Sequence, residues 1–105
     1  MTIRRFLIQR ILKPESVGEY IQYHQNVPAG LMQAYREVGV TDLSCFVQSN
    51  KLIVYMEVEQ EIYEKKSVHL ATNPIDVNWQ ALMATLNDPE AEILTYDEVF
   101  RMSGA

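Results

Sequence analysis

A chain of 105 residues has the length of one ordinary domain, and 48% hydrophobic residues give it material for a core without disulfides or a structural metal. Its formal charge of −5 and the absence of a basic stripe exclude nucleic acid as an expected partner, because such binding rests on clustered Lys and Arg that release phosphate counterions. No leader pattern and no apolar run of membrane-spanning length are visible, so the expected compartment is the cytoplasm, with no membrane partner. The lone cysteine, Cys45 in the run LSCFV, suits that reducing setting and reads as a buried strand residue rather than a reactive thiol.

No repeat, low-complexity tract or linker interrupts the sequence, so residues 1–105 read as a single domain. The run IRRFLIQRIL over residues 3–12 predicts a first strand. Pro14, with Glu15 behind it, suits the first turn of a helix, in which Val17, Tyr20, Ile21 and His24 recur at helical spacing. Pro28 interrupts that helix and opens a second over 29–38, on which Leu31, Ala34, Tyr35 and Val38 share a face; Gly39 is its natural stop. Two β-rich runs, 42–48 and 51–58, flank Ser49–Asn50 as a hairpin. Residues 60–71 read as a third helix. Asn73–Pro74 then caps and starts a fourth, with Ile75, Trp79, Leu82, Met83 and Leu86 on one side. Asn87–Asp88–Pro89 ends that helix, and residues 92–102 read as a last strand.

The resulting order, β-αα-ββ-αα-β, is the βαββαβ pattern with each helix split by a proline. It predicts a ferredoxin-like α+β fold with a four-stranded antiparallel sheet and helices on one face only. The other face then carries apolar residues that need a cover, and a second copy of the chain is the simplest one. A homodimer is therefore expected.

Chemistry-bearing residues are few. There is no phosphate-binding loop, dinucleotide glycine fingerprint or nucleophile elbow. Two histidines far apart, without patterned acids, give no metal-ligand spacing. Tyr20 and His24 are one helical turn apart, which suits either an acid/base pair or the polar margin of an amphipathic helix. His69 near the end of the third helix reads as a cation favoured by the helix dipole. Trp79, the one tryptophan, is either a core anchor or a stacking wall for the C–H face of a sugar.

Taken together, IRRF, EYIQYH, NKLIVYMEVE, YEKK, ATNPIDVNWQALM and DEVFRM, in that order, make the chain resemble the L-rhamnose mutarotase family over nearly its whole length. The resemblance implies a dimeric α+β barrel that interconverts the α and β anomers of a free aldose without metal or cofactor. It implies His24 as the acid/base residue and Tyr20 as a sugar contact beside it. Trp79 matches the first of two aromatics on the family's fourth helix, Gln80 stands where the second often lies, and Leu43 stands at a sugar-contacting tyrosine. Pro28, Ala29 and Gly30 occupy the places of a Trp-Pro-Glu motif. The expected activity is thus an aldose mutarotase acting on a deoxyhexose, L-rhamnose first. An L-fucose-type enzyme, or a non-catalytic barrel that binds a small ligand, is the alternative.

Overall fold

The computed structural model describes residues 2–103, and the single domain expected over 1–105 runs past them at both ends. β1 (Ile3–Ile11) leads through a 3-10 turn at Pro14–Ser16 into α1 (Val17–His24), and α2 (Ala29–Glu37) follows. The hairpin of β2 (Val40–Gln48) and β3 (Lys51–Glu59) comes next. Then come α3 (Gln60–Lys66), a 3-10 stretch over Ser67–Thr72, α4 (Pro74–Ala84) and β4 (Leu94–Asp97). The strands lie in the order β2-β3-β1-β4, every neighbour antiparallel, which is the ferredoxin-like α+β arrangement that the element order predicts.

Strand alternation decides which face the helices cover. On β3 it buries Leu52, Met56 and Val58, while Lys51, Ile53, Tyr55 and Glu57 take the opposite face. Two clusters fill the covered side. One joins Leu12, Tyr20, Leu52, Met83 and Leu86; the other joins Val38, Val40, Met56 and Val58.

The punctuation works as local chemistry demands. Asn73 Oδ1 accepts from the Ile75 N–H at 3.1 Å, with Pro74 behind it in the first turn of α4. Gly39 adopts φ +96°, where a Cβ would lie 3.0 Å from the Tyr63 nitrogen and 3.1 Å from the Glu59 carbonyl oxygen. Only glycine turns the chain from α2 into β2 without strain. The hairpin closes through Ser49 at φ 56° and is tied to the end of β1: the Leu12 N–H donates to the Asn50 carbonyl at 2.8 Å, and Asn50 Nδ2 donates to the Leu12 carbonyl at 3.1 Å.

Three boundaries differ from the sequence pattern. β2 starts at Val40, because a bulge at Thr41 keeps Val40 opposite Val58 and Asp42 opposite Glu57. The third helix is α-helical only to Lys66 and tightens into the 3-10 stretch beyond it. The last strand is four residues long instead of spanning 92–102, pairing only from Gln9 to Phe6 of β1. Past Asp97 nothing among the described residues offers a ladder, and β propensity without a partner makes no strand. Val99, Phe100 and Met102 accordingly stand in solvent, 97%, 80% and 82% exposed.

The face opposite the helices is mixed. Phe46, Leu7, Leu94 and Tyr96 leave apolar surface open on it. At its centre Arg5 Nε donates to Glu57 Oε1 at 2.7 Å. The hydrogen bond with Glu57 pushes the Asp42 carboxyl up. Burial opposes charge on Glu57, but its bonds to Asp42 and Arg5 outweigh that and hold it below the ordinary range.

Candidate functional site

The short helix α1 places Tyr20 and His24 one turn apart, toward the covered face of the sheet. Their rings stack with centroids 4.1 Å apart and planes 25° from parallel. His24 Nδ1 lies 2.9 Å from the Tyr20 carbonyl oxygen. A carbonyl oxygen only accepts, so Nδ1 carries the hydrogen in the neutral ring and Nε2 is left as the free acceptor. Tyr20 thus orients His24 with its ring and backbone. Its hydroxyl lies beside Cys45 and Arg10.

From α4, Trp79 meets His24 edge-on, with centroids 5.2 Å apart and planes at 71°. These side chains border a cavity of about 640 Å³ between the sheet and the helices. Tyr20, His24, Leu43, Trp79 and Gln80, the five residues singled out from sequence, all line it. His69 is exposed on the 3-10 stretch and takes no part. Val27 and Leu31 reach the cavity wall, while a Cβ on Gly30 would come within 2.9 Å of Ile75 Cδ1, so α2 lies hard against α4 there.

The phenols of the site stay protonated. Burial pushes the Tyr20 hydroxyl far above its ordinary value, with Cys45 adding to the shift and Arg10 opposing it. Burial likewise raises Tyr35, helped by its hydrogen bond to Asp76. The Cys45 thiol is half-buried and also pushed up by burial, which disfavours its thiolate. Sequence patterning missed Asp76 and counted Tyr35 among apolar helix positions. The signal was present in the spacing: Asp76 is three and four residues before Trp79 and Gln80, on the same helical face. Among the described residues no three His, Cys, Asp or Glu side chains group as a metal-binding set, and no helix is long and apolar enough to cross a membrane.

A family model described as L-rhamnose mutarotase matches residues 5–102. The chain belongs to the L-rhamnose mutarotase family. Among solved structures, this mutarotase-family chain is similar to an L-rhamnose mutarotase from Formosa agariphila at 24% identity and TM-score 0.72, covering 94% of this chain and 98% of that one. It is similar to a protein from Agrobacterium tumefaciens at 13% identity and TM-score 0.70, covering 98% of each chain. It also resembles a candidate antibiotic biosynthesis monooxygenase from Bacteroides thetaiotaomicron at 17% identity and TM-score 0.67, covering 99% and 94%. At such identities these likenesses speak for the fold. None of the curated proteins matches significantly.

Proposed function

We propose that this mutarotase-family chain, acting as one domain in the cytoplasm, interconverts the α and β anomers of a free deoxyhexose, L-rhamnose first, by acid/base catalysis at His24. The observation that carries the reading is the tethered imidazole: Nδ1 is held by the Tyr20 carbonyl at 2.9 Å on the wall of a cavity with ample room for a monosaccharide. Ring opening needs a proton taken from the anomeric hydroxyl and one given to the ring oxygen. Both oxygens are bonded to the anomeric carbon, so a single imidazole nitrogen serves them in turn with little movement. Nε2 takes the hydroxyl proton, returns it to the ring oxygen as the C–O bond breaks, and leaves the open-chain aldehyde. Rotation about the first C–C bond and the reverse transfers close the other anomer. Tyr20 contacts the sugar, and Trp79 supplies the apolar wall for its C–H face.

Leu43 on the wall, with Pro28, Ala29 and Gly30 in the places of the Trp-Pro-Glu motif, should reshape the pocket and motivates L-fucose or another deoxyhexose as a second reading. One-dimensional saturation-transfer NMR on L-rhamnose and L-fucose, with and without protein, separates the two. Faster exchange of L-rhamnose supports the first, faster exchange of L-fucose alone supports the second, and no acceleration of either sugar overturns both in favour of a ligand-binding barrel.

The assembly proposed with this activity is a homodimer. Phe46 is 60% exposed on the open sheet face, and the tail carrying Val99, Phe100 and Met102 adds apolar surface beyond β4. A second copy of the same surface would cover both. Light scattering is expected to give twice the 12.1 kDa chain mass, and a lone monomer at working concentration refutes the dimer.

A further inference from the structure

The cavity holds a carboxylate that the proton transfers do not use. Asp76 stands one turn before Trp79 and Gln80 on the same face of α4, and it is only 7% exposed. A carboxylate so far removed from water ordinarily faces an arginine or lysine, because unpaired buried charge is costly. Asp76 has neutral donors instead. The Tyr35 hydroxyl donates to Oδ1 at 2.7 Å, and Gln80 Nε2 donates to the same oxygen at 3.3 Å. Gln80 Nε2 also reaches the Tyr35 hydroxyl oxygen at 3.2 Å, so the three side chains hold one another in a closed ring.

Both donors land on Oδ1. Among the described residues no donor is paired with Oδ2, and Asp76 is part of the cavity wall. The result is a fixed, largely buried acceptor one helical turn from an indole. A hydroxyl donor on a ring whose C–H face lies against Trp79 is the complement of that pair.

We propose that Asp76 is a specificity-determining residue of this cavity. Its Oδ2 accepts a hydrogen bond from one ring hydroxyl of the aldose, while Tyr35 and Gln80 hold the carboxylate in position. The assignment rests on the mutarotase reading and names the group that recognises the sugar. Trp79 alone would stack any pyranose, so hydroxyl selection needs a polar partner, and Asp76 is a carboxylate fixed one turn away on the same helix.

The test measures anomer exchange by saturation-transfer NMR as a function of sugar concentration. It uses L-rhamnose and its three analogues lacking the hydroxyl at C2, C3 or C4. In the unaltered protein one analogue is expected to need about tenfold to a hundredfold more sugar for half-saturation, the loss of one charge-assisted hydrogen bond. In Asp76→Asn the two donors keep the new amide oxygen at the Oδ1 position and turn its NH₂ toward the sugar. L-rhamnose then weakens by the same factor, and its advantage over that analogue disappears. Tyr35→Phe removes the shorter of the two bonds that position the carboxylate, so the discrimination is expected to shrink without vanishing, because the acceptor itself remains.

Two results would overturn the assignment. One is half-saturation of all three analogues within about twofold of L-rhamnose. The other is an Asp76→Asn variant that weakens every sugar alike while keeping its discrimination, which is the mark of a packing role. If circular dichroism shows that variant unfolded, the analogue series on the unaltered protein decides alone. A protein that accelerates no aldose removes the mutarotase reading and this inference with it. That outcome is distinct from an active enzyme indifferent to ring hydroxyls.

Discussion

Replacing His24 with alanine is expected to abolish the acceleration of L-rhamnose anomer exchange, a loss of about 10²–10⁴ in rate. The size follows from what the residue does. Mutarotation already proceeds in water through the same open-chain aldehyde, so the protein gains chiefly by placing a base and acid at the anomeric centre. Tyr20 cannot take over, because burial keeps its hydroxyl protonated. The Cys45 thiol is likewise pushed up by burial. Alanine at 24 leaves α1 with a good helix former at its last residue, so far-UV circular dichroism should not change. His24→Gln adds a sharper control: the amide can still bond the Tyr20 carbonyl, yet it has no basic nitrogen and should fail equally. Full-rate exchange in either variant, read by saturation-transfer NMR, would refute the role.

The largest loss of stability is expected from Leu12→Ala, about 2–5 kcal/mol. Leu12 is wholly buried just past the end of β1, packed with Tyr20, Leu52, Met83 and Leu86. It therefore joins the sheet to α1 and to the last turn of α4. Its backbone is held on both sides by Asn50, so the chain cannot collapse into the space that the side chain leaves. Against a total of about 5–15 kcal/mol for an ordinary domain, that is a large fraction. Urea unfolding should show a lower midpoint at unchanged slope. A shift worth less than about 1 kcal/mol would mean that the cluster repacks around the gap. Tyr20 belongs to the same cluster, so the variant should also loosen the seat of His24.

Much of this fold is legible in the sequence because its punctuation is local. Pro14, Pro28 and Pro74 open helical segments by removing an N–H that helix starts do not need, and Gly39 takes a backbone angle that other residues resist. Features that depend on distant partners are hidden. The tail after Asp97 has strand-like alternation, but whether it forms a strand depends on a neighbouring edge that no local pattern encodes. The bulge at Thr41 is set by the register of Asp42 against Glu57. The same division holds in the cavity. Tyr20, His24, Trp79, Gln80 and Leu43 were reached through helical spacing or family resemblance. Asp76 escaped because a carboxylate in the first turn of a helix has an ordinary explanation in the helix dipole. Its burial and its bond to Tyr35, 41 residues away in the chain, become visible only once α2 and α4 are packed.

The edge-on contact between Trp79 and His24 has an optical consequence. The chain has one indole, so its tryptophan fluorescence originates at a single address, on the wall of the cavity. An imidazolium is a stronger quencher of indole emission than a neutral imidazole, and these rings are 5.2 Å apart. The protein therefore carries an unlabelled reporter of both the protonation of its proposed catalytic base and the arrival of a sugar. Sugar binding can then be followed directly, even for sugars whose anomers exchange too slowly for NMR.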